Sequence, residues 1–160
     1  MSVILMKTLV ICFSYHHENT AKIASVFAKT LGAEIKTPLE VNPNDLSEYD
    51  LTGFGSGIYF GKHGKVLLDL ADKLPQMTNK KAFIFSTSGQ TGNVVSKFHQ
   101  YLREKLRSKG FDIVGEFNCA GFDTFGPLRL VGGIKKGRPN EEDLEKAEAF
   151  AKNLREKTAA

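Results

Sequence analysis

Three times this chain repeats one order of events: an apolar run, a short polar turn, then a stretch with helical spacing. The first turn, Ser14-Tyr15-His16-His17-Glu18-Asn19-Thr20, follows Leu9-Val10-Ile11-Cys12-Phe13. The second, Gly55-Ser56-Gly57-Ile58-Tyr59-Phe60-Gly61, follows Leu51-Thr52-Gly53-Phe54, and the third, Ser86-Thr87-Ser88-Gly89-Gln90-Thr91-Gly92, follows Ala82-Phe83-Ile84-Phe85. If the apolar runs are parallel strands, all three turns leave from carboxyl ends and converge on one rim. That rim is where open α/β sheets bind their ligands. The pattern therefore predicts a binding site assembled from three turns of one sheet.

The remaining elements follow from periodicity and punctuation. Lys7 to Phe13 has the apolar character of a strand covered on both faces. Ile23, Val26, Phe27 and Leu31 mark one helical face, and Gly32 ends that helix. Ala33 to Lys36 reads as a short polar edge strand. Thr37 to Asp50 reads as a connection with one helical turn at Asp45 to Glu48. Leu51 to Ser56 is a strand weakened by glycines. Val66, Leu67, Leu70, Ala71 and Leu74 give a helix stopped before Pro75. Lys81 to Ser86 is a strand, and Val95, Phe98, Leu102 and Leu106 line a long helix closed by Gly110. Phe111 to Asn118 is the fifth strand. Asn140, after Pro139, caps a last helix whose first turns hold Glu141, Glu142, Asp143 and Glu145 and whose end holds Lys152, Arg155 and Lys157, as the helix dipole favours. Strands and helices alternate, which predicts an α/β domain: a parallel sheet with helices on both faces.

At 160 residues the chain fits one domain, residues 1–160, with room for a proper core. A hydrophobic content of 41% and a charged content of 25% are ordinary for a globular protein. Met1 to Phe13 is too short for a membrane span and no small-residue cleavage site follows, so the expectation is a cytoplasmic protein without a membrane partner. The formal charge is +4, with a pI near 9.0. Its lysines and arginines are scattered rather than gathered in one block. That weighs against nucleic acid and favours acidic protein partners.

Each turn has chemistry to offer. The first opens a helix, whose unpaired N–H groups bind phosphate readily. Ser14, His16, His17, Asn19 and Thr20 add side-chain donors, while Glu18 must face an anion with its backbone alone. The competing reading is simple capping by Asn19 or Thr20. The second turn sets Tyr59 and Phe60 between glycines. Two aromatics in succession cannot both face one core, which favours a flat ligand. The third has almost no bulk, and Gly89 and Gly92 let its backbone approach a planar ring, although an ordinary strand-to-helix turn would look similar.

Taken together these segments resemble flavodoxins over essentially the whole chain. Ser14 to Thr20 running into Ala21-Lys22-Ile23-Ala24 is similar to the family's phosphate loop. Gly55 to Gly61 is similar to the loop that carries an aromatic and a glycine beside the flavin. Ser86 to Gly92 stands where the second ring-binding loop stands, and Cys119-Ala120-Gly121-Phe122 and Gly137-Arg138-Pro139-Asn140 also look family-like. The resemblance implies a three-layer sandwich with strand order 2-1-3-4-5 and a non-covalently held FMN. It implies Ser14, His16, His17, Glu18, Asn19 and Thr20 at the phosphate. Ser56, Gly57, Ile58, Tyr59, Phe60 and Gly61, with Thr87, Ser88, Gly89, Gln90, Thr91 and Gly92, would border the ring. The sequence departs from the pattern in two places. Glu18 replaces a glycine in a phosphate loop one residue longer than usual, and the third turn lacks the tyrosine that often stacks on the ring. Tyr59 or Phe60 would then stack, with Phe122 or Phe125 beside them.

That fold separates Cys12 and Cys119 by three strand spacings, roughly 14 Å, whereas a disulfide needs α-carbons within about 7 Å. Free thiols are expected. The implied role is electron transfer between redox protein partners, the flavin carrying the chemistry. Lys62, His63 and Lys65, beside the ring loop, are expected to ease the repulsion that a reduced, anionic flavin meets in acidic flavodoxins. Residues 120–139, with Phe122, Phe125, Leu128, Leu130 and Val131, are too apolar for a free loop and are expected to cover the ring or form a docking face.

The main rival is an oxidoreductase of the same fold, a quinone or nitro-compound reductase using NAD(P)H; a flavin-free interaction module is the other. Metal binding by His16, His17 and His63 lacks a ligand pattern. No Gly-x-Ser-x-Gly elbow supports a serine nucleophile. Receiver domains need paired acids after the first strand, where this chain has Ser14, Tyr15 and His16.

Overall fold

The computed structural model describes residues 6–14, 18–121 and 137–159. In chain order they form β1 (Thr8–Phe13), α1 (Asn19–Leu31), β2 (Glu34–Lys36), 3-10 turns at Pro38–Glu40 and Pro43–Glu48, β3 (Leu51–Tyr59), β4 (Lys62–His63), α2 (Lys65–Lys73), β5 (Lys80–Ser88), α3 (Val95–Ser108), β6 (Phe111–Ala120) and α4 (Glu141–Ala159). The parallel strands lie in the order β2-β1-β3-β5-β6, and β4 folds back antiparallel on β3. With β4 set aside, this is the expected order, second-first-third-fourth-fifth.

Alternation along the strands builds two cores. Leu9, Ile11, Phe54 and Ile84 point to the α2 and α3 side, where Leu67, Leu70, Leu102 and Leu106 meet them. Val10, Phe83 and Phe85 point to the other side, against Ile23 and Phe27 of α1 and Ala147, Ala151 and Leu154 of α4. The sandwich therefore has helices on both faces. Phe27 is the hub of the second core. Its ring stands edge-on to Phe83 at 5.5 Å, Phe85 at 5.0 Å and Phe117 at 5.5 Å, and tilts against Phe150 at 5.7 Å.

The glycines that weaken β3 on paper are seats for these rings. A Cβ on Gly53 would lie 2.3 Å from Phe83, and one on Gly55 2.3 Å from Phe85. Gly55→Ala is therefore expected to cost about 2 kcal/mol, because Phe85 is wedged against Phe27 and cannot swing away. An unchanged urea midpoint would contradict this packing.

Helix ends follow their residues. Gly32 takes a left-handed φ of 64° and returns its N–H to Ala28, closing α1. Before α4, Asn140 accepts from the Asp143 amide at 3.0 Å and the Asp143 carboxylate accepts from the Asn140 amide at 2.8 Å, a reciprocal cap. Arg138 holds the same carboxylate in a fork at 2.5 and 2.6 Å.

The strands run further than their apolar residues suggested. β3 continues to Tyr59, β5 to Ser88 and β6 to Ala120, because ladder pairing persists through Gly57 with Thr87 and Ser88 with Ala120. Polarity ends the apolar run before it ends the hydrogen bonding. The connection 37–50 holds two 3-10 turns where one helical turn was expected. Each starts at a proline behind a capping residue, Thr37 with Glu40 and Asn42 with Asn44. Cys12 and Cys119 are free and buried, and burial pushes each thiol up to about 12. No described helix is long and apolar enough to cross a membrane. Residues 122–136 lie outside the described residues, so the expectations for the late stretch, including Phe122 and Phe125, fall there too.

Candidate functional site

Parallel register decides where the turns begin. Phe13, Ser56, Ser86 and Asn118 form one row across β1, β3, β5 and β6. All the turns therefore rise from one height. They leave from β1, β3 and β5, and β1, whose neighbours β2 and β3 lie on opposite sides, marks the crevice where doubly wound sheets hold ligands.

The first turn starts at half-buried Ser14; Tyr15, His16 and His17 lie outside the described residues. Glu18 is exposed and left-handed, with φ 52°, and α1 opens directly after it. Among the described residues no side chain caps this helix, and its first turn holds no acid. Asn19 and Thr20 sit inside that turn and are buried, so neither is a cap. The Thr20 hydroxyl meets that of Thr87 at 2.8 Å, tying the first turn to the third.

The second turn is mostly a hairpin. Ile58 pairs with His63 and Tyr59 with Lys62. The link, Phe60-Gly61, takes positive φ at both residues, 53° and 79°, as a tight primed turn requires. Ser56 is buried and locks the base: its hydroxyl donates to the Gly57 carbonyl at 2.6 Å and accepts from the Gly64 amide at 3.0 Å. The two aromatics diverge. Tyr59 packs edge-on against Phe13 at 6.4 Å, while Phe60 is 86% exposed, in a backbone region that bulky residues avoid.

In the third turn Thr87 and Ser88 complete β5, Gly89 is buried, and Gln90, Thr91 and Gly92 are exposed, with Gly92 at φ 89°. Ser88 donates its hydroxyl proton to the Gln90 carbonyl. The Gly121 amide closes the corner on the Ser88 carbonyl at 3.0 Å. A Cβ on Gly121 would meet the Asn19 side chain at 2.8 Å, so the end of β6 and the start of α1 touch.

Beneath this turn lies a polar cluster that the sequence reading missed. Ser86 Oγ stands 2.7 Å from His99 Nε2, and His99 Nδ1 stands 2.9 Å from Glu116. Arg103 forks onto the same carboxylate at 2.8 and 2.9 Å. Burial would raise the Glu116 carboxyl, but the hydrogen bonds from His99 and Arg103 outweigh it and draw it down to about 2. Ionised Glu116 accepts from Nδ1–H, and in that tautomer Nε2 accepts from Ser86. The Asn118 amide donates to Ser86 Oγ at 2.8 Å and to Ser88 Oγ at 3.0 Å. A signal existed: positions 95, 99, 102 and 106 share one helical stripe, which puts His99 on the buried face of α3. The Ser–His–Glu order matches an acyl-transfer triad, but Ser86 is 0% exposed and no carbonyl substrate could reach it.

His63 also departs from expectation. It is 1% exposed, its Nε2–H faces the Phe85 carbonyl at 3.2 Å, and its ring lies 5.0 Å from that of His99. Burial, reinforced by His99, pushes it down to about 3. It is neutral at pH 7 and brings no positive charge to the rim. Lys65 is bonded to Asp69 at 2.8 Å, and Lys62 lies 5.2 Å over the Tyr101 ring. Among the described residues no group of three or more His, Cys, Asp and Glu could hold a metal.

This architecture has known counterparts. An uncharacterized protein of Methanocaldococcus jannaschii is 52% identical over 149 residues, spanning 93% of this chain and 98% of its own length. Flavodoxin 2 from Bacillus cereus superposes with a TM-score of 0.70 at 20% identity, over 94% of this chain and 99% of that one. A Fusobacterium nucleatum flavodoxin, solved with flavin mononucleotide bound, superposes at 0.68 with 13% identity, over 95% and 99%. The flavodoxin domain family matches residues 10–121, a span that runs from β1 through all three turns to the end of β6. On that match, and on the sheet order that accompanies it, the chain belongs to the flavodoxin family.

Proposed function

We propose that this protein binds one FMN on the three-turn rim and serves as an electron carrier between redox proteins. The observation that carries the reading is the amino end of α1, not capped by the Glu18 side chain and without an acid in its first turn, set at the crevice beside β1. A phosphate is the acceptor that such amides suit best. The donor set fits: α1 amides with Ser14 and Asn19, together with His16 and His17, would hold the phosphate, while the Glu18 carboxylate stays in solvent. The Gly57–Gly61 hairpin and the turn from Gly89 to Gly92 would frame the ring with backbone groups, and Tyr59 and Phe60 would flank it. Thr20 and Thr87, spent on each other, would hold the phosphate and ring turns in fixed relation. FMN, when bound, supplies the redox chemistry; the chain supplies position and field.

The test is titration of flavin-free protein with FMN and with riboflavin, following flavin fluorescence. One equivalent of FMN is expected to bind. Ala21→Glu places an acid in the first turn of α1, which favours the helix dipole but repels phosphate. It should loosen FMN about tenfold or more while leaving riboflavin binding unchanged and melting slightly raised. No FMN binding by the unmodified protein, or equal effects on both flavins, would defeat the assignment. Rapid bleaching of bound flavin by NAD(P)H alone would make the protein a reductase rather than a carrier.

A further inference from the structure

We propose that His99 is a positioning residue for the third turn, acting through Ser86, Asn118 and Ser88 on the backbone carbonyl of Gln90. The consequence for flavin rests on the FMN reading above; the consequence for the turn itself does not.

The cluster forms a directed chain. Arg103 and His99 both donate to Glu116, and in the Nδ1–H tautomer His99 presents its bare Nε2 to Ser86. Ser86 therefore gives its proton to His99 and offers its lone pairs to Asn118. That fixes the Asn118 amide with its nitrogen toward the serines, where it donates to Ser88 as well. Ser88, with a donor already on its oxygen, turns its proton to Gln90. In this tautomer every link meets a matching donor or acceptor, so orientation passes from the Glu116–Arg103 pair to the turn. The Gln90 carbonyl is the terminus, and it belongs to the turn that would face the polar edge of a flat ring.

His99 and Ser86 are almost wholly buried, at 1% and 0% exposure, so loss of one partner strands a buried polar atom on the other. The groups facing His99 are Ser86 on β5, Glu116 on β6, Arg103 on α3 and the neutral ring of His63 on β4. A cavity of about 270 Å³ lies beside them, lined in part by His99, Arg103, Glu116 and Asn118. It opens on the α3–β6 side of the relay.

Two substitutions separate positioning from mere filling. His99→Asn retains a group near Nδ1 and keeps Glu116, but loses Ser86. His99→Gln reaches the place of Nε2 and keeps Ser86. The FMN dissociation constant should rise about tenfold in the Asn variant and stay near the original in the Gln variant, one hydrogen bond being at stake. In flavin-free protein, exchange of the Gly121 amide, which reports on the Ser88 carbonyl, should speed about tenfold relative to α1 amides in the Asn variant only. Ser88→Ala cuts the last link without touching the core and should reproduce the loosened FMN binding. Equal behaviour of the Asn and Gln variants, or an unaltered Ser88→Ala protein, overturns the proposal. If the unmodified protein binds no FMN, the functional reading fails, and the exchange data still decide on His99.

Discussion

Phe27→Ala is expected to destabilise the protein by about 4 kcal/mol, as large as aromatic truncations in cores usually cost. The ring is 0% exposed and touches four other rings, contributed by β5, β6 and α4. Those rings cannot collapse into the vacated space, because Phe83 and Phe85 already lie against the bare backbone of Gly53 and Gly55. For a chain of this size the melting temperature should fall by roughly 8–16 °C. Phe27→Leu should cost less than half as much, since most of the apolar contact remains. Calorimetry of both variants checks the idea, and a Phe27→Ala protein melting within a degree or two of the original would refute it.

Acidification should have the next largest effect, through His63. Its folded value, about 3, lies below the ordinary 6.5, so the unfolded chain takes up a proton that the folded one refuses. Stability is then complete above pH 6.5 and drains away as pH falls toward 3. Between neutrality and pH 4 the loss from this group is about 3 kcal/mol. Glu116 acts in the same direction over a lower window, from its ordinary 4.5 down to about 2. Urea unfolding of the original and of His63→Phe at pH 7 and pH 4 isolates the histidine. The variant should lose much less stability on acidification, and identical losses would exclude His63 as the source.

Much of this molecule could be read before it was seen. The alternation of strands and helices followed from a repeated pattern and the order of strands from the resemblance to flavodoxins, and the structure keeps both. What escaped was local. The ends of β3 and β5 carry no apolar run, so Gly57, Thr87 and Ser88 looked like loop although their ladders continue. β4 is too short to leave a period. His63 looked like surface charge between two lysines, and only the packing of α3 on the hairpin shows it to be interior. His99 adjoins Phe98 and was passed over, because a histidine on an apolar stripe announces nothing until its partners on β5 and β6 are known. Glu116 and Asn118, alternate residues on one strand, likewise gain meaning only from what lies opposite.

The shared row of Phe13, Ser56, Ser86 and Asn118 has a practical corollary. Since each turn stands on its own strand at a common level, any one of them can be lengthened or rewritten beyond the Thr20–Thr87 and Gly121–Ser88 ties without shifting the feet of the others. The platform and the fittings it bears are separable, so a new guest could be accommodated one turn at a time while the foundation stays as it is.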